Sequence, residues 1–421
     1  MTSKIFTFKQ IFIFFYFLMA LGCKAQDTIK VLFIGNSFTY FENMPDIFRN
    51  IASNAGYKVK TQMFAPGGVS VGDISQGSQA HMNNPLVYEN IRSDKWDYVV
   101  LQDNQGRFVL NYGQFPSSSL VIQGHLQIRD SVLKNNPCAK MVWFAGWGMK
   151  NGLPPNGNTG IEMIDRIAAN YRFLNDTAHE IIAPIGGAWK KLILSNPTFD
   201  LWSSDETHPS PEGAFLTASV IYSTIFRDNP AYSIENGGLS SITADLLKQS
   251  AWQTLMDSFV ITNLQTITPD LIWQNSQLTA GSFLHYFWYK EMQWLSTINT
   301  NTLNVGQSGH YYLMAENNAG CKFKSISQHL LITDVEENLQ QNQYKLYPNP
   351  AQSELQIETS KAFDFPLCIR ILNSNALCVK KLELRNASIQ SIDVSDLSKG
   401  LYFIEITTCN GRLELKKLMV E

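Results

Sequence analysis

The sequence predicts an α/β fold, a doubly wound parallel sheet, followed by two small β-sandwich domains. Three observations carry that expectation. Between residues 27 and 262, short apolar runs such as "YVVLQ" and "MVWFAG" alternate with stretches of helical length. Continuous apolar runs suit strands that crossover helices bury on both faces. From residue 263 to 334 the runs become short, aromatic and punctuated by turn residues, the pattern of a small sandwich. The polar stretch 335–343 then reads as a linker, and a second β-rich segment, 344–421, closes the chain.

Taken in order, strands are expected at 29–34, 58–64, 97–102, 140–145 and 180–184. Helices are expected around 45–55, 117–135, 160–175, 187–195, 211–226 and 241–259. The helix at 211 has the clearest start, with Ser210 as N-cap, Pro211 in the first helical position and Glu212 in the first turn.

The first residues do not belong to the fold. Lys4 and Lys9 precede the apolar "IFIFFYFLMAL", followed by small residues and "GCKAQD". That is a signal peptide, 1–25, cleaved after Ala25, and the run is shorter than the ~20 residues of a membrane span. Lipidation at Cys23 ranks second, because the lipobox position three residues earlier holds Ala20. The mature chain is expected to be exported and to carry no transmembrane segment.

Five cysteines remain, Cys138, Cys321, Cys368, Cys378 and Cys409. Scattered and odd in number, they do not suggest a disulfide framework, and a turn at 373–376 would point Cys368 and Cys378 to opposite faces. A net charge of -3 leaves no footprint for nucleic acid. No metal, nucleotide or other cofactor pattern is present in the spacing of Cys, His and Gly residues.

The chemistry lies in two stretches. "IKVLFIGNSFTYFENMP" places Ser37 where a strand hands over to a helix, at the carboxyl edge of a parallel sheet, where such folds bind ligands. Alone, a turn serine is ordinary. "SSDETHPSPEG" supplies what a nucleophile needs. Asp205 lies three residues before His208 on a loop, and Pro209 biases His208 to extended backbone. One imidazole nitrogen can then meet the carboxylate while the other faces outward as a base. Taken together, Ser37, His208 and Asp205 favour catalysis over capping and turn roles.

These stretches resemble the SGNH (GDSL-like) hydrolase superfamily, in the branch whose first block reads "GNSFT". The resemblance covers roughly 29–226. It implies Ser37 as nucleophile, Asp205 and His208 as its partners, and an oxyanion hole from Ser37, a second-block glycine and a third-block asparagine. In "APGGVSVGDI" the glycine is Gly67 or Gly68, and Gly68 is chosen. The third block is usually G-x-N-D and here reads "QDNQ". Asn104 keeps the asparagine position, and Gln102 replaces the glycine. Same parity puts both amides on one side, with Asp103 turned away. The third donor is Asn104 or Gln102, and Asn104 is chosen. Gln102 then braces Asn104 or lines the acyl pocket. Trp147, Trp189 and Trp202 sit near strand ends or the catalytic loop. Trp147 and Trp202 are candidate sugar platforms, although a buried core role is the preferred reading for at least two of the three.

Two further resemblances concern the β segments. "YFWYK" and Gly309 to Cys321 resemble the immunoglobulin-like modules of secreted Bacteroidetes proteins. "YPNPA" (347–351), "DVSDLSKGLYFIEI" (393–406) and the basic strand with Lys416 and Lys417 resemble the C-terminal sorting domain of the type IX secretion system. That implies the secretion machinery as a partner, and a secreted or surface-attached product. The expected function is a serine esterase that removes a small acyl group, acetyl above all, from a carbohydrate ester. The alternatives are a glycan-binding protein on the same scaffold, or a lipase or thioesterase.

Overall fold

The structure is a computed structural model that describes residues 28–109, 116–154, 159–295, 299–330, 332, 344–359, 367–373, 378–384, 389–408 and 413–421. The expected signal peptide and linker, Cys23 and Cys409 lie outside the described residues. No helix among the described residues is long and apolar enough to cross a membrane.

Five parallel strands form the first sheet: β1 (Ile29–Ile34), β2 (Val59–Phe64), β3 (Tyr98–Leu101), β4 (Lys140–Phe144) and β5 (Ile181–Ala183), in the order β2-β1-β3-β4-β5. Every side chain of β3 and β5 is buried, which explains why these strands read as unbroken apolar runs. The helices are α1 (Ser37–Tyr40), α2 (Met44–Asn54), α3 (Pro85–Arg92), α4 (Gln105–Phe108), α5 (Pro116–Asn135), α6 (Gly160–Ala178), α7 (Ile185–Ser195), α8 (Pro211–Phe226) and α9 (Ser241–Asp257). They cover both faces. Val31, Phe33, Val100 and Phe144 pack on one side, beneath α2, α7, α8 and α9. Leu32, Ile34, Leu101 and Trp143 pack on the other, beneath α3, α5 and α6. The strand order reverses direction between β1 and β3, so the loops leaving those strands diverge and open a crevice at their carboxyl ends.

Two antiparallel sheets follow. One is β6 (Leu271–Gln274), β7 (Gln277–Ala280) and β10 (Thr302–Asn304). The other comprises β8 (His285–Lys290), β9 (Gln293–Trp294), β11 (Gly309–Glu316), β12 (Lys322–Lys324) and β13 (Gln328–Leu330). Leu278 and Leu303 of the first meet Trp288 and Leu313 of the second in one sandwich core. The tail is a second sandwich. Its three-stranded sheet holds β14 (Tyr344–Tyr347), β15 (Glu354–Thr359) and β18 (Ile389–Asp393). Its four-stranded sheet holds β16 (Leu367–Asn373), β17 (Cys378–Leu384), β19 (Gly400–Thr408) and β20 (Leu413–Val420). Leu355, Ile357, Ile369, Ile371, Ile404 and Ile406 fill its core.

One expectation is corrected here. Cys138 and Cys321, 183 residues apart, form a disulfide that ties the turn before β4 to the first β-sandwich. Two cysteines on modules of different class carry no pairing signal in their spacing; only the packing of one module on the other brings them together. Cys368 and Cys378 are free.

Candidate active site

Ser37 is the first residue of α1, directly after β1 and the Gly35-Asn36 turn. Asn36 caps the helix. Its side-chain oxygen accepts from Phe38 N–H at 3.1 Å, and its amide donates to Val69 O at 2.9 Å. The nucleophile turn is thereby fixed to the second-block loop. Gly35 is required by close approach, since a Cβ there would lie 2.6 Å from Gln102 Oε1.

Asp205 and His208 come from the loop before α8. Ser203 N–H donates to His208 O at 2.8 Å and Ser210 N–H to Leu201 O at 2.9 Å, which pinches the loop at its base. Ser210 caps α8 as expected, accepting from Gly213 N–H at 3.2 Å. His208 Nδ1–H donates to Asp205 Oδ2 at 2.6 Å. That proton fixes the tautomer and leaves Nε2 as acceptor for the Ser37 hydroxyl, 2.8 Å away. Residues 171 positions apart thus meet in a Ser–His–Asp relay.

The carboxylate is well supplied with donors. Its Oδ1 accepts from Ser203 Oγ–H at 2.7 Å, Thr207 N–H at 2.9 Å and His208 N–H at 2.8 Å. Partial desolvation opposes its charge. The hydrogen bonds from His208, Ser203 and Thr207 outweigh that and hold the carboxyl well below the usual carboxylate range. Phe41 lies flat against the His208 ring, with centroids 3.9 Å apart and an interplanar angle of 10°. No spacing rule pointed to Phe41, because the turn after α1 runs through the left-handed residues Glu42 and Asn43.

The third-block residues divide their work. Gln102 is fully buried, its Oε1 accepting from Asn36 N–H at 2.8 Å and Thr39 Oγ–H at 3.0 Å while its amide donates to Asp103 O. Substrate therefore does not reach it, and the expected pocket or Asn104-bracing role gives way to bracing of the nucleophile turn. Asp103 turns toward the second-block loop. Its Oδ1 accepts from Ser70 Oγ–H at 2.7 Å, Val71 N–H at 2.8 Å and Asn104 N–H at 2.7 Å. One buried carboxylate therefore locks the glycine loop to the strand end that carries Asn104. The side-chain amide of Asn104 and the N–H groups of Ser37 and Gly68 make no hydrogen bond among the described residues. Gly68 is exposed, with a φ of +72° that favours glycine.

The sugar-platform candidacy of Trp147 and Trp202 is corrected, and the core role expected for at least two of the three tryptophans holds. Trp147 and Trp202 are buried. Trp147 stacks on Trp189 with centroids 4.3 Å apart. Its indole N–H donates to Thr207 O at 3.0 Å, and that of Trp202 donates to Gly148 O at 2.9 Å. Trp147 thereby supports the Asp205–His208 loop from beneath, while Trp202 ties the base of that loop to the segment after β4.

Residues 345–421 match the family model described as "Secretion system C-terminal sorting domain". No curated protein matches the chain. Among solved structures, the chain is similar to a DUF4886 family protein from Bacteroides uniformis, at 16% identity and TM-score 0.47, over 57% of this chain and 99% of that one. It is similar to an acetyl xylan esterase at 15% identity and TM-score 0.37, over 47% of this chain and 100% of that one. A member of the lipolytic protein G-D-S-L family from Veillonella parvula is similar at 12% identity and TM-score 0.34, over 46% of this chain and 95% of that one. The tail is thus a type IX sorting domain, which directs the chain to the cell surface or beyond.

Proposed function

We propose that this chain is an exported serine esterase that removes a small acyl group, acetyl above all, from a carbohydrate. The observation that carries the catalytic part is the relay itself, with Ser37 Oγ 2.8 Å from His208 Nε2 and His208 Nδ1 2.6 Å from Asp205 Oδ2. Ser37 Oγ attacks the ester carbonyl carbon while its proton passes to His208 Nε2. The carbonyl oxygen becomes an oxyanion, received by the Ser37 and Gly68 N–H groups and the Asn104 amide. Collapse breaks the ester C–O bond, and His208 returns the proton to the leaving alcohol. A water then attacks the acyl-enzyme, again giving its proton to His208, and the carboxylic acid departs as Ser37 is restored. Asp205 keeps the tautomer and offsets the imidazolium charge in both halves.

The carbohydrate part rests on the sequence resemblance and the export address. Acyl release from acetylated polysaccharides, run beside a chain-length series of p-nitrophenyl esters, tests it. Acetate release from a polysaccharide, with rates falling as the acyl chain lengthens, supports the reading. Preference for long acyl chains would make the protein a lipase or thioesterase. Glycan binding with no turnover of any ester would leave a binding protein on this scaffold.

A further inference from the structure

Far from Ser37, two cross-strand pairs from different modules face each other. On the first sandwich, His310 of β11 stands directly opposite His329 of β13, with ring centroids 4.3 Å apart. On the sorting tail, Arg370 of β16 stands opposite Glu405 of β19. Their neighbours Ile369, Ile371, Ile404 and Ile406 fill the tail's own core, so Arg370 and Glu405 point out of it. Outward charges on a sandwich are ordinarily solvated. Here Arg370 is 8% and Glu405 3% exposed, because the tail is seated against the histidine pair and Tyr232.

The donor atoms of this junction converge. One ligand atom from each of His310, His329 and Glu405 lies within 4.8 Å of the others. His329 Nε2 makes a 3.2 Å ion-pair contact with Glu405 Oε1, while Nδ1 of the same ring has no hydrogen-bond partner among the described residues and the side chain is only 6% exposed. A buried imidazole nitrogen without a hydrogen-bond partner needs a reason. Two ligands held ~2.0–2.1 Å from a tetrahedral ion lie ~3.3 Å apart, close to that contact. We propose that His310, His329 and Glu405 form a zinc-type metal site that clips the sorting tail to the first β-sandwich.

The donor chemistry selects the ion. Two imidazoles and one carboxylate oxygen suit zinc and its first-row neighbours, whereas calcium and magnesium want oxygen ligands throughout. Arg370 donates to Glu405 Oε2 at 2.8 Å, which orients the carboxylate with Oε1 toward the rings. The ligands sit at positions 310, 329 and 405 on two modules, so no short motif announces them, and a chain without its tail lacks one of the three.

The test uses the purified full-length chain carrying Cys368→Ser and Cys378→Ser, stripped with chelator and titrated with Zn2+ or Co2+. One equivalent of zinc should bind and raise the melting temperature, and Co2+ should give the visible absorption of a tetrahedral N/O site. Glu405→Gln and, separately, His310→Gln should weaken binding by more than the ~10–100-fold that the loss of an outer partner costs. Both variants should keep the esterase activity of the parent, and near-parental far-UV circular dichroism separates ligand loss from misfolding. Zinc well below one equivalent in the parent, or unchanged affinity in both variants, overturns the proposal.

Discussion

Gln102 and Asn104 stand two positions apart, and their amides are committed to different tasks. Gln102 gives its oxygen to Asn36 N–H and Thr39, so Gln102→Ala strands a backbone donor in a dry interior. That should cost about 1–3 kcal/mol of stability, and activity should fall together with folding. Asn104→Ala removes a proposed oxyanion donor from a side chain that braces nothing among the described residues. It should lower kcat by ~10²–10³ with KM nearly unchanged and the melting temperature intact. Steady-state kinetics on an activated acetyl ester, paired with thermal melts, separates the two. A pure kcat loss in Gln102→Ala with none in Asn104→Ala would reverse the assignment. Residue order alone gave both amides and their shared parity. It did not give which was sealed in, because burial depends on how closely Gly35 lets the Gln102 side chain approach.

Elements were legible where local chemistry sets their limits. Helix α8 begins at Pro211 and ends at Phe226, as Ser210, Pro211 and Glu212 and the apolar run indicated. Helix α3 (Pro85–Arg92) escaped notice although Asn84 caps it and Pro85 opens it, a start signal of the same kind. The segment before it carries His81, whose Nε2–H donates to Gly35 O at 2.9 Å beneath the nucleophile turn. Burial pushes this imidazole down to about 4, against the attraction of Asp103. An unfolded histidine titrates near ~6.5, so between these values the unfolded chain takes up a proton that the folded chain refuses. Stability should be flat above that window and fall as pH drops through it, by about 3 kcal/mol for this group alone. Urea unfolding followed by tryptophan fluorescence across the window checks the slope, which His81→Gln should flatten. A slope unchanged in that variant would assign the acid sensitivity to other groups.

At the scale of the molecule, composition and pattern separated a parallel α/β unit from two β units, because each class buries its strands differently. Hydrophobic periodicity says nothing about how the units meet. The Cys138–Cys321 bridge and the buried Arg370–Glu405 face both belong to that level, and both were missed. Closing so long a loop should stabilise the pair of modules by about 2–5 kcal/mol. The double substitution Cys138→Ser, Cys321→Ser should lower the denaturant midpoint accordingly while leaving kcat on an activated ester unchanged, because the bridge lies at the opposite end of β4 from the crevice. Equal midpoints for the two proteins would mean that packing alone holds the modules.

The account turns on Ser37 as the nucleophile, and covalent capture tests it most directly. The purified chain is treated with a fluorophosphonate, and the adduct is located by peptide mass spectrometry while ester hydrolysis is followed. The account requires one label per chain, on Ser37, with activity lost in proportion to labelling and with no label in His208→Ala. Full inactivation with the label on another residue, or steady ester turnover by a Ser37→Ala variant, would contradict it.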